Sequence, residues 1–144
     1  MSFKKTRQSL ATAAIALLKA APISILPANI ISGNMPSPGA GDKKWAQVLF
    51  TTRDPSVATM GGIGTDRLEG VLFVNIRIPL DHGEVEGIEA IDAFRSALPA
   101  GSRLTFEGQQ VTVLSIGAVD GRVVDGYWRT DITIPFRAFI NRGA

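Results

Sequence analysis

His82 is the single histidine of the chain and cysteine is absent, so multi-histidine metal centres, thiolate metal sites, cysteine nucleophiles and disulfides are all excluded. His82 stands in Asp81-His82-Gly83-Glu84, a capping-box pattern in which Asp81 accepts from the third-position amide and Glu84 reaches back. That setting accounts for the histidine without chemistry. Glu84, Glu86, Glu89 and Asp92 form an acidic group, but acids in the first turns of a helix complement its dipole, and no EF-hand loop accompanies them. Gly61-Gly62-Ile63-Gly64 lacks both the dinucleotide spacing and the lysine of a phosphate loop. Its glycines instead permit positive φ and close approach to another backbone, as a loop folding against a neighbouring subunit requires. Ser9, Ser24, Ser56, Ser96 and Ser115 have no nucleophile-elbow context, and no two acids are spaced recognisably for hydrolysis.

Five arginines remain. Arg53, Arg67, Arg77, Arg129 and Arg137 could line a nucleic-acid surface, but acids such as Asp54, Asp66, Glu69 and Asp131 accompany them. They read better as solvated faces and subunit salt bridges. The expectation is of a non-enzyme with no catalytic, cofactor or metal site.

The elements that must position these residues are those of one domain spanning 1–144, since 144 residues suit one core of ordinary size. Hydrophobic residues make up 45% and charged residues 19%, a balance that excludes global disorder. The net charge is only +2, too low for a general nucleic-acid binder. No run reaches the roughly 20 apolar residues of a membrane span.

The periodicity predicts an amphipathic helix over 3–20, with Phe3, Leu10, Ala14, Leu17, Leu18 and Ala21 on one face, Ser2 as N-cap and Pro22 as stop. A connector rich in Pro, Gly, Ser and Asn follows over 22–44, with a short extended piece around 23–31. A core over 45–140 comes next. It opens with a strand at Trp45–Thr52, continues through a long loop over 53–66 and reaches a strand at Arg67–Ile78, where apolar and polar residues alternate. After Pro79 a second helix is expected, with Val85, Ile88, Ile91, Phe94 and Leu98 as its apolar stripe. Arg103–Phe106 and Gln110–Val119 read as a hairpin, and Tyr127–Phe139 as a last strand in which Pro135 marks an edge or a bulge. The expected fold is α+β: a mixed, mainly antiparallel sheet of about four or five strands packed with two α-helices.

The wording of the second half carries a resemblance. Arg67 through Pro79, Gly83, a helix ending near Leu98, Gly101-Ser102-Arg103-Leu104, Val111-Thr112-Val113, Asp125-Gly126-Tyr127-Trp128 and Ile132-Thr133-Ile134-Pro135-Phe136 resemble the tail terminator-like family of long-tailed bacteriophages. Trp45 to Phe50 fits that family's first strand. The resemblance implies a virion protein at the head-proximal end of the tail, assembled in the host cytoplasm. It would form a ring, generally a hexamer, that caps the completed tail tube, stops its polymerisation and docks the head–tail connector. The implied partners are other copies of the chain, the tail tube protein and the neck protein, with genomic DNA passing through the ring without specific binding and no membrane contact. Closed rings use heterologous contacts, so each subunit needs two unlike patches. The residues expected to supply part of them are Arg53, Asp54, Gly61, Gly62, Gly64 and Asp66 in the loop, with Arg67, Arg77 and Arg137 on the outward face.

Three rivals stand beside this reading: another neck or tail subunit, such as a head-closure or tube protein; an exported binding domain; and, weakest, an uncharacterised hydrolase, which would need a pocket with shifted acids that the sequence does not announce. The second arises because Lys4, Lys5 and Arg7 precede an apolar stretch, as in a signal peptide. Against it, the uninterrupted apolar run is only Ala13 to Leu18 before Lys19 interrupts. Mass spectrometry of the mature chain separates the two: an intact N-terminal helix is expected, and cleavage near Ala28 would favour export.

Overall fold

The computed structural model describes residues 3–33, 43–53, 56–57, 65–80, 83–106, 109–124 and 126–141. Two helices, α1 (Phe3–Lys19) and α2 (Gly83–Ala97), accompany eight strands. These are β1 (Ile30–Ser32), β2 (Trp45–Thr52), β3 (Ser56–Val57), β4 (Thr65–Pro79), β5 (Arg103–Phe106), β6 (Gln109–Val113), β7 (Gly117–Val124) and β8 (Tyr127–Asn141). They form one mixed sheet in the order β1-β2-β4-β8-β6-β5, with β3 added to β4 and β7 to β8. Only β1 and β2 run parallel among these pairings. The α+β class and the mixed sheet match the expectation; the strand count is larger.

The extra strands are small or hidden. β1 lies inside the expected connector, where Ile23 and Ile25 also turn back into the core at 5% and 2% exposure. Their return is fixed by Ile25 N–H donating to the Leu18 carbonyl at 2.8 Å and by Lys44 Nζ donating to the Ile23 carbonyl at 2.7 Å. β3 lies inside the expected 53–66 loop and pairs with β4, which already begins at Thr65. The expected strand over 110–119 is two strands, β6 and β7, flanking a break at residues 114–116. Pro135 explains the break. In an antiparallel strand a residue's N–H and C=O point to the same neighbour, and the Pro135 carbonyl accepts from Leu114 N–H at 2.8 Å. The missing proline N–H therefore faces the irregular stretch, and β8 keeps its place in the sheet interior.

β4 and β8 set the two faces. On β4, Leu68, Leu72, Val74, Ile76 and Ile78 are buried, and on β8 Thr130, Ile132, Ile134, Phe136 and Ala138. Each such aliphatic contributes on the order of 1.5–3 kcal/mol by leaving water. Helix α2 packs on β4, β7 and β8, whereas α1 packs on β2 and β4 and also on β5 and β6. One helix touching both flanks requires a curled sheet. Gly70 marks where it tightens: a Cβ there would land on the Thr51 carbonyl oxygen and lie 2.9 Å from Phe136 Cζ. The Phe136 ring fills that space and stacks on Phe50 with centroids 5.3 Å apart.

The helix faces differ in part from the expected stripes. On α1, Leu10, Ala14 and Leu18 are buried as expected, joined by Thr6, Ser9 and Ala11, while Ala21 is exposed. Ser2 and the Phe3 side chain, like Asp81 and His82 of the expected second cap, lie outside the described residues. On α2 the buried line is Gly87, Ala90, Phe94 and Leu98. Val85 and Ile88 point outward at 65% and 47% exposure. The small Gly87 and Ala90 let the helix approach the sheet closely, and this rotates the two β-branched residues into solvent.

Two measurements check this packing. Gly70→Ala is expected to lower the denaturant midpoint by the equivalent of about 1–3 kcal/mol through overpacking. Phe94→Ala is expected to cost about 3–5 kcal/mol, while Val85→Ser stays within about 0.5 kcal/mol.

Candidate assembly surface

The odd-numbered residues of β2, β4 and β8 face away from the helices. Cross-strand register arranges them in rows. At one end Trp45, Arg77 and Arg129 lie abreast across β2, β4 and β8, and Arg122 of β7 continues the row. The next row is Gln47, Asn75 and Asp131. Then comes an apolar band: Leu49, Phe73 and Thr133, followed by Thr51, Val71 and Pro135. Glu69 opposite Arg137 begins the far end.

Two arginines directly opposite each other would repel. They coexist because Arg129 Nε donates to Asp131 at 2.7 Å, and Arg122 Nη2 donates to the other Asp131 oxygen at 2.9 Å. Arg77 turns instead onto the Trp45 ring, its guanidinium carbon 4.4 Å from the centroid. Tyr127 closes the ring's edge at 6.3 Å, T-shaped. Trp45 is therefore only 5% exposed although it lies on the helix-free face. Such cation–π stacks contribute about 0.5–2 kcal/mol depending on desolvation.

At the other end Arg137 leans over Phe139 at 5.9 Å. Arg67 and Glu69 approach to 3.8 Å in solvent, a pair of little energetic weight. Among the described residues the buried Nε atoms of Arg77 and Arg137 meet no acceptor. Neither arginine forms an ion pair there.

The expected interface residues are thus divided between two ends of one face. Arg53, Arg67 and Arg137 belong to one end, whereas Asp66, at an even position of β4, lies on the opposite side of the sheet; Arg53 is exposed and its backbone N–H donates to the Glu69 carbonyl at 2.9 Å. Arg77 lies at the other end, eight β4 positions beyond Glu69, or roughly 26 Å. Asp54, Gly61, Gly62 and Gly64 lie outside the described residues. The expectation that each arginine sits beside or opposite an acid holds for Arg67, for Arg129 and, opposite Glu69, for Arg137, and is corrected for Arg77. Arg122 and Trp45 were not among the expected site residues. A bulge between Val119 and Arg122, where Gly121 adopts φ 92°, brings Arg122 into line, and Asp120-Gly121 was its only sequence signal.

On the helix side, a cleft of about 270 Å³ is lined by Ser24, Ile25, Leu26, Asn29, Lys43, Lys44, Pro79 and Glu86. Lys44 is committed to Glu86 at 3.5 Å as well as to the Ile23 carbonyl, so this pair clamps the α1 exit to α2. Among the described residues no three potential metal ligands converge, and no helix is long and apolar enough to cross a membrane.

No family model and no curated protein matches the chain. Solved structures do. A protein whose name states no function aligns over 96% of both chains with TM-score 0.72 at 15% identity. A chain from the virion of a native gene transfer agent particle aligns over 97% of this chain and 99% of its own, with TM-score 0.55 at 19% identity. At these identities the likeness establishes a shared fold over the whole chain.

Arg77→Ala is expected to uncover the Trp45 ring. Measured in a Trp128→Phe background, iodide or acrylamide quenching of the remaining tryptophan should rise, and stability should fall by about 0.5–2 kcal/mol.

Proposed function

We propose that this chain is a structural virion protein, and specifically a tail terminator. In this role it forms a ring on the last tube subunits, covers their growing surface and presents a different face to the head–tail connector. The observation that carries the virion reading is the end-to-end fold shared with a chain of a gene transfer agent virion. The terminator reading adds the resemblance of residues 67–139. A fold hosts many functions, so the role rests on both together.

The surface chemistry suits assembly without catalysis. The helix-free face joins an apolar band to arginines placed over aromatic rings, the kind of anchors enriched at protein interfaces. The ring would use this face and the 53–66 segment for contacts between copies, with DNA passing through the centre unread. Another neck or tail subunit is the second reading, since the same virion fold supports it equally. Export is disfavoured by packing: cleavage near Ala28 would remove α1, whose Leu10, Ala14 and Leu18 are buried to 1% or less.

Deletion of Gly61–Gly64 is expected to abolish ring formation or tube capping, seen by electron microscopy as tubes without a terminal ring. Complete, head-joined particles from the deletion would refute the role given to that segment. Density for the chain elsewhere than the head-proximal tail end would favour the second reading.

A further inference from the structure

We propose that successive copies of this chain join head to tail, the solvent-facing side of α2 in one copy seating on the helix-free sheet face of the next. The inference rests on the ring reading above and names the two unlike patches such a ring needs.

The donor patch is α2. Val85 and Ile88 are 65% and 47% exposed, and Leu80 just before the helix is 50% exposed. Glu84, Glu89 and Asp92 surround them in solvent, and none forms an ion pair among the described residues. The four acids of α2 against its single Arg95 give the helix three net negative charges. Because the whole chain is +2, the remainder carries +5. Four of those charges, Lys4, Lys5, Arg7 and Lys19, lie on α1, so what bears on this contact is local: α2 is acidic, and Arg77, Arg122 and Arg129 outnumber Asp131 on the helix-free face.

The acceptor patch has the complementary character. Leu49, Val71 and Phe73 are only half-buried and no helix covers them. Beyond them lies the Arg77, Arg129 and Arg122 row, where Arg129 and Arg122 share Asp131 and Arg77, over the Trp45 ring, has no carboxylate among the described residues. The spacing is compatible. Phe73 and Arg77 are four strand residues apart, about 13 Å. Val85 and Asp92 are seven helix residues apart, about 10 Å. A helix placed with Val85 and Ile88 on the apolar band brings its acids to the arginines. Since a helix face meets a sheet face, the contact is heterologous, the class that closes into rings.

The absence of cysteine makes the test direct, using the full chain with Val85→Cys and Thr133→Cys, the latter in the same row as Phe73. On oxidation the double variant is expected to give a ladder of disulfide-linked multimers, and each single variant none. Adding Glu84→Lys, Glu89→Lys and Asp92→Lys should lower the ladder by about tenfold or more through like-charge contact, with an unchanged circular dichroism spectrum. Efficient cross-linking of Val85→Cys to itself would mean a symmetric helix–helix contact and overturns the proposal. A double variant that stays unlinked while native mass spectrometry still finds a multimer overturns it too, and leaves the ring reading standing. A chain that is monomeric at every concentration and on purified tail tubes overturns both.

Discussion

Fifteen consecutive cross-strand pairs join β4 to β8, from Thr65 opposite Asn141 to Pro79 opposite Tyr127. Register in a sheet is a parity condition: one residue of slip would carry Leu72, Val74, Ile132 and Ile134 to the wrong side. The length of this ladder makes such a slip prohibitive, and every other element takes its position from it. β2 and β3 lie along one side, and β6 and β7 divide the other between them. Both helices cover the even-numbered face because the large aliphatics are there.

The same parity produces the surface. Once the even positions are committed to the core, the odd positions of three strands must form rows on the opposite side. Arg77 opposite Arg129 is a consequence of that commitment, and the local chemistry resolves it with Asp131 on one side and the Trp45 ring on the other. A tryptophan at the start of an outer-facing row thereby becomes nearly inaccessible without belonging to the main core. Its contact with the ring restrains the Arg77 guanidinium, so part of the entropy of a long side chain is already lost.

Much of this was legible in the residues. The alternation in 67–78 and 127–139 announced the two central strands, because period two over many residues has no helical alternative. Pro135 announces an irregularity through its missing donor, but an edge or a bulge in the last strand is not what forms: β8 is interior and in unbroken register with β4, and the break falls on its neighbour at 114–116. The remainder was hidden for physical reasons. β1 and β3 have three and two residues, too few for a period to register. On α2, Val85, Ile88 and Ile91 and the true inner line of Gly87, Ala90 and Phe94 have similar spacing. What decides between them is how closely the helix can approach the sheet, which depends on small residues that carry little hydrophobic signal. The ion-pair arrangement around Asp131 depended on a bulge in β7, and bulges shift register without changing composition. Of the residues expected at the interface, those on long strands could be placed on a face; their separation into two ends could not be read without the register.

The strands that terminate the sheet are brief: β1 has three residues and β5 has four. β7 is longer but kinked at its bulge. Unsatisfied backbone along a straight, extended rim is what lets proteins zip together indiscriminately into fibres. Among the described residues the margins are stubby or bent, and such rims offer little straight backbone for indiscriminate zipping.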